Sequence, residues 1–251
     1  MGLGALFYPW GIVLQVIAVL HFVRRRPDTF WLWIIIIGGG LGAAIYMVAE
    51  MLPDVNLLRG VVSSMGRRKR ISDLEAVVLD NAAVGNLEEL ADLYLEERQF
   101  GRARELYDKV IASRSDSLDA FYRRGIAELE LGDAPAALAD LDLVVGKEPK
   151  YDFNRAIGLL AHACALAGQP ERADALFQKA VEVSTLSETY YNYASFLAVQ
   201  KRSAEARDWA QRILAKKPTM PGYLRRLERP WFRKASALMK KLPDQAQGPR
   251  P

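Results

Sequence analysis

The chain has 251 residues, 51% of them hydrophobic and 25% charged, with a net charge of +4 and a single cysteine, Cys164. That length provides one ordinary domain plus a smaller apolar segment. One cysteine excludes an intrachain disulfide, and with only two histidines (His21 and His162) there is no Cys/His metal cluster to find. The average hides two halves: residues up to Met51 are almost wholly apolar, and the remainder is charged and helix-forming.

Leu3 to Val23 is an apolar run interrupted only by Gln15 and His21, and Phe30 to Met51 is a second, with one late charge, Glu50. At helical rise each is long enough to cross a bilayer core. The short turn Arg24-Arg25-Arg26-Pro27-Asp28 makes the two spans antiparallel. Tyr8 and Trp10 then share one interface with Tyr46, and Trp31 and Trp33 share the other with His21. Gly38 and Gly42 stand four apart, so a second helix can approach closely. That helix is either the first span or another copy of the chain, which makes a homo-oligomer a candidate. The absence of a basic residue before the first run, and the second run directly after it, argue against a cleaved signal peptide.

The stretch Phe30-Trp31-Leu32-Trp33, the isoleucines after it, Gly38 to Gly42 and Tyr46 together resemble the amino-terminal hairpin of cardiolipin-synthase-type phospholipase D proteins. That resemblance implies a membrane anchor. It does not imply lipid synthesis, because the His-x-Lys chemistry is missing: His21 is followed by Phe22-Val23 and His162 by Ala163-Cys164.

Residues 52–72 read as a basic juxtamembrane linker. Pro53-Asp54 stops the second span, and Val55 to Met65 forms either a short amphipathic surface helix or a solvated linker. Arg24, Arg25 and Arg26, with Arg67, Arg68, Lys69 and Arg70, suit contact with anionic lipid headgroups. They also conflict over which side of the membrane the carboxyl-terminal half occupies. The cations form no single stripe with stacking aromatics, which argues against nucleic acid. Ser72, with Glu75 three residues on, fits an N-cap opening a helix through Asn81.

From Val84 onward one design recurs. Helix A carries a small residue at Ala91, Gly125, Ala161 and Ala194; helix B carries another at Ala103, Ala137, Ala173 and Ala206. A large residue follows at Tyr107, Leu141 and Phe177, but the fourth copy has Ala210. Gly132 and Gly168 stand where helix A must stop and the chain reverse. The first copy has Arg98 there, and the spacing from second to third copy is two residues too long near Tyr151-Asp152. The starts near Val84, Leu118, Asn154 and Ser187, close to a 34-residue period, resemble the tetratricopeptide repeat family over about half the chain. The expected fold is all-α: a two-helix transmembrane hairpin (1–51), then an α-solenoid of about four helix-turn-helix repeats within residues 73–242. A basic helix from Tyr223 to Leu242 would cap it, with Pro230 at a helix start. Residues 243–251 would form a disordered tail.

The family resemblance also implies a concave groove lined by helix A side chains. Carried over position by position, the lining includes Glu88, Asp92, Asp119, Tyr122, Ile126, Arg155, His162, Tyr191 and Ser195. The family's carboxylate clamp needs Lys and Asn where this chain has Glu88 and Asp92, so that ligand is disfavoured. A partner segment with basic and apolar side chains suits the lining better. No phosphate loop, nucleophile elbow or metal motif is present, so no catalytic residue, metal or cofactor is assigned. The expectation is a non-enzymatic scaffold at a bacterial cell membrane that binds a protein or peptide, with an accessory of phospholipid metabolism as the alternative.

Overall fold

The computed structural model describes residues 4–25, 29–51, 56–113 and 116–243. The loop residues Arg26 to Asp28, the span stop Pro53-Asp54 and the tail 244–251 lie outside it. So do the side chains of Tyr8, Arg24, Arg25 and residues 56–65, and with them the lipid contact expected of Arg24 to Arg26. Every regular element among the described residues is helical. The chain divides into two compact units, Met1–Asp73 and Leu74–Pro251.

The first unit holds α1 (Gly4–Arg25), α2 (Phe30–Ile37) and α3 (Gly39–Tyr46), which ends in a π-helical turn, Met47–Met51. The second apolar run is not one continuous span. Gly39 takes φ +58°, a left-handed conformation that glycine adopts without steric cost, and α3 folds back along α2. A Cβ on Gly42 would lie 1.9 Å from the Ile34 carbonyl oxygen, eight residues earlier. Each limb has eight residues, about 12 Å at helical rise, against about 30 Å for a bilayer core. No helix among the described residues is long and apolar enough to cross a membrane. The expected two-helix hairpin, and its likeness to the phospholipase D anchor, are therefore not supported.

The reversal also corrects the expected aromatic levels. Tyr46 is buried beside His21 (Nδ1 to Oη 3.0 Å) and Trp31 (ring centroids 5.6 Å apart), not at the opposite end from them. The glycines serve this fold internally. Gly40 lies against Gly11 of α1, where a Cβ would come within 2.9 Å of the Gly11 Cα, and Gly42 packs on Ile34. That use leaves no support for Gly38 and Gly42 as a face for a second copy. Gln15 donates to the Ile35 carbonyl at 2.9 Å, satisfying a polar group in apolar surroundings.

A single helix, α4 (Asn56–Asp80), replaces the expected break at Ser72. No proline interrupts it, so helical hydrogen bonding continues through Ser72, which is exposed in mid-helix.

The second unit stacks four helical hairpins: α5 (Val84–Glu96) with α6 (Phe100–Ser113), α7 (Leu118–Leu131) with α8 (Ala134–Lys147), α9 (Tyr151–Leu166) with α10 (Pro170–Val183), and α11 (Ser187–Val199) with α12 (Ser203–Ala215). The small positions have the expected role. Ala91, Ala161, Ala194, Ala103, Ala137, Ala173 and Ala206 are all fully buried, and a Cβ on Gly125 would meet Leu141 at 3.0 Å. All four hairpin turns share one geometry. Arg98, Gly132, Gly168 and Lys201 hold positive φ (59°, 81°, 75° and 62°). The next amide bonds back five residues, as in Gln99 to Tyr94 and Asp133 to Glu128, which is the Schellman closure.

The two-residue surplus before the third repeat falls at a left-handed turn, in which Asp152, Phe153 and Asn154 have φ of 46°, 51° and 65°. At the far end α13 (Gly222–Leu227) leads to α14 (Arg229–Lys241), with Pro230 in its first turn. The small Ala210 of α12 belongs to one buried cluster with Phe232 and Ala235 of α14. The bulk missing from the fourth repeat is thus supplied by the capping helix. Cys164 is fully buried in the core, and burial pushes its thiol up.

Candidate functional site

The first helices of the hairpins bring α5, α7 and α9 side by side around a groove of about 480 Å3. Of the predicted residues, Asp119, Tyr122, Ile126 and Arg155 line it. Helix spacing explains this: Asp119, Tyr122 and Ile126 are three and four apart and share one face of α7.

Two hydrogen-bonded chains hold the site. In one, Tyr107 donates to Asp92 (2.6 Å), Arg123 pairs with Asp92 (3.4 Å) and donates to Asp119 (2.6 Å), and Tyr151 donates to Asp119 (2.9 Å). In the other, Tyr122 donates to Asp152 (2.6 Å), and Arg155 grips Glu188 through Nε (2.6 Å) and Nη2 (3.3 Å). The rings of Tyr122 and Tyr151 meet at 5.0 Å between centroids. Burial and the Asp152 carboxylate push the Tyr122 phenol up, and burial with Asp119 does the same to Tyr151. Both tyrosines therefore stay neutral donors at physiological pH. Burial raises the Asp92 carboxyl, and the Tyr107 hydroxyl opposes it.

The ionic groups are unequal in number. Among the described residues, the four carboxylates Asp92, Asp119, Asp152 and Glu188 form ion pairs with just two cations, Arg123 and Arg155. A cationic side chain would restore the balance, and the tyrosine faces would favour it further.

The other predicted residues lie elsewhere. Glu88 is half-buried on α5, outside the lining. Tyr191 packs against Trp231 of the capping helix (5.8 Å), with the Lys234 ammonium 5.5 Å from its ring. Burial lowers the His162 pKa, with Glu188 opposing and Lys234 assisting. The Ser195 hydroxyl is buried without a hydrogen-bond partner among the described residues.

Four lining residues escaped the repeat template: Glu96, Arg123, Tyr151 and Asp152. Tyr151 and Asp152 sit at the two-residue surplus, where a fixed period has no position for them. The surplus itself was the available signal. Arg123 neighbours a template position and reaches the groove by the length of its side chain.

The tetratricopeptide repeat model matches residues 88–152 and 159–221, about half the chain and wholly within the second unit. Solved structures show the same fold at low identity. A MamA structure from Desulfovibrio magneticus RS-1 is 19% identical with a TM-score of 0.51, covering 76% of this chain and 94% of that one. TTC0263 of Thermus thermophilus is 16% identical at TM-score 0.54, covering 73% and 96%. YrrB, described as a repeat protein of this type with an unusual peptide-binding site, is 17% identical at TM-score 0.50, covering 64% and 82%. No curated protein sequence matches the chain.

Proposed function

The chain belongs to the tetratricopeptide repeat family, and from that premise we propose that it is a non-enzymatic scaffold whose concave groove takes a partner segment carrying a basic side chain. The observation that carries this reading is that four carboxylates, Asp92, Asp119, Asp152 and Glu188, share two guanidinium groups beside the paired rings of Tyr122 and Tyr151. A lysine or arginine entering there meets Asp119 and Asp152 and lies against aromatic faces. Ile126 and Leu95 supply apolar contact beside it. The peptide-binding site named for YrrB is consistent with such a role for the fold.

The amino-terminal unit would hold the platform at an apolar phase. What supports this is its outer surface: Trp10, Leu20, Ile37 and Leu41 are 70%, 65%, 79% and 74% exposed. Such a patch exceeds what an isolated domain normally leaves in water. A unit that dips into one leaflet without crossing fits the two short limbs, and it leaves Arg67 to Arg70 free of the conflict over sides. Assembly or regulation of a membrane process is the setting this combination suggests.

The test is a set of fluorescent degenerate peptides fixed at one central position as Lys, Arg, Ala or Glu, titrated against the full chain. Peptides with central Lys or Arg should bind at least about tenfold more tightly than those with Glu, and Asp119→Asn with Asp152→Asn should erase the difference. Equal binding of all four sets would refute the reading.

A further inference from the structure

Several arginines of the repeats are neutralised in place. Arg123 pairs with Asp119, Arg124 with Asp108 and Asp140, Arg155 with Glu188, and Arg202 with Asp174 and Glu205. The carboxyl-terminal end is built differently. A second groove of about 480 Å3 lies among the end of α12, α13 and α14, away from the concave site. Its lining holds Lys217, Arg225, Arg229, Arg233 and Lys240 and no carboxylate. None of these five forms an ion pair among the described residues. The nearest acid along the chain, Glu228, is not in the lining and acts on Lys216 instead. The floor is apolar, made by Leu214 and by Phe232, which the buried cluster of the cap holds in place. Ser236 adds a hydroxyl.

Like charges gathered in one concavity repel one another, and a multivalent anion relieves that repulsion. Three of the five are arginines, whose planar fork matches phosphate oxygens in pairs. A peptide carboxylate brings one charge, whereas a phosphate monoester brings up to two on three oxygens. A nucleic-acid strand needs an extended basic track with stacking aromatics, and these cations surround a single groove. We infer that the groove formed by α12, α13 and α14 is a binding site for a ligand bearing phosphate groups. Such a ligand is either a soluble polyphosphate or a phospholipid headgroup. Tyr223 and Leu227 on the adjoining α13, each 71% exposed, are placed to contact acyl chains in the second case. This site is independent of the peptide reading of the concave groove.

The experiment uses the full chain in neutral detergent micelles, with inorganic tripolyphosphate as the probe in titration calorimetry. The variant is Arg229→Gln with Arg233→Gln, both exposed in α14. The control, Lys147→Gln with Lys179→Gln, removes the same charge from exposed positions of α8 and α10. Circular dichroism melts establish that both remain folded. The parent should bind tripolyphosphate with an affinity that falls as salt rises. The groove variant should lose at least about tenfold, and the control less than about twofold, the tenfold loss being about 1.4 kcal/mol. No binding by the parent at low salt, or equal losses in both variants, would overturn the inference. Micelles doped with phosphatidylglycerol then identify the source. Displacement of tripolyphosphate by that lipid, and not by phosphatidylcholine, supports the headgroup; no displacement supports a soluble phosphate ligand.

Discussion

Replacing Phe153 by glycine should make the second unit more stable, although it deletes a large hydrophobic side chain. Phe153 holds φ +51° in the middle of three consecutive left-handed residues, and its side chain is 91% exposed. A residue with a Cβ loses about 1–2 kcal/mol in that conformation. Glycine loses none there, but its freer unfolded chain takes back about 0.5–1 kcal/mol. Almost no apolar burial is forfeited at this exposure, so the net gain is about 0.5–1 kcal/mol. For a unit of this size that corresponds to a rise of about 1–4 °C in Tm. The assay is thermal unfolding of the full chain followed by far-ultraviolet circular dichroism, with urea unfolding as the second measure. Asp152 and Tyr151 keep their bonds to Tyr122 and Asp119 in this variant, so the groove is not altered directly. A fall in Tm of more than about 1 °C would refute the reasoning. It would mean either that the turn is not left-handed at Phe153 or that its ring packs against something in solution.

The same logic applies to the hairpin turns, where Lys201→Gly and Arg98→Gly should each raise Tm, additively because the two turns are far apart, while Gly132→Ala should cost about 1 kcal/mol. Burial, with Asp140 beside it, pushes the Glu128 carboxyl up to about 7. Its folded pKa thus lies above the ordinary value, so the folded state binds more protons between pH 4.5 and 7 and stability falls as pH rises through that window. Urea unfolding of Glu128→Gln should show a gain of about 1–3 kcal/mol at pH 8 and no difference at about pH 4; a larger effect at the acid end would contradict this assignment. Gly42→Ala cannot keep the reversal in the first unit, because its Cβ would meet the Ile34 carbonyl. Hydrogen exchange over residues 30–46 should accelerate markedly, and unchanged protection would speak against the folded-back α3.

The repeat architecture was legible in the linear chain because its determinants are local. Small residues at Ala91, Gly125, Ala161 and Ala194 set the distance between paired helices, and each recurs at nearly constant spacing. The turn between the two helices of each repeat was legible at Gly132 and Gly168, while Arg98 and Lys201 reach the same left-handed geometry without a glycine to announce it. There the Schellman bonds and the packing of both helices impose the conformation, and the side chain accepts the strain. Helix α4 was misjudged at Ser72 for the converse reason: a residue that can cap a helix does so only where the chain has cause to leave one.

The concave groove divides between the two sources of information. Asp119, Tyr122, Ile126 and Arg155 follow from repeat register. Tyr151 and Asp152 enter only through a two-residue surplus whose left-handed path no periodic pattern encodes. The first unit shows the larger gap. Composition marked residues 30–51 as apolar and glycine-rich, but hydropathy is the same whether such a run continues or doubles back. The decision rests with Gly39 at positive φ, Gly42 against the Ile34 carbonyl, and Tyr46 buried between His21 and Trp31. Those contacts link residues as far apart as twenty-five positions. The sequence alone determined an all-helical chain with a repeating hairpin. Where the apolar run turns, and which charges are left without partners, depended on contacts between residues far apart in the chain.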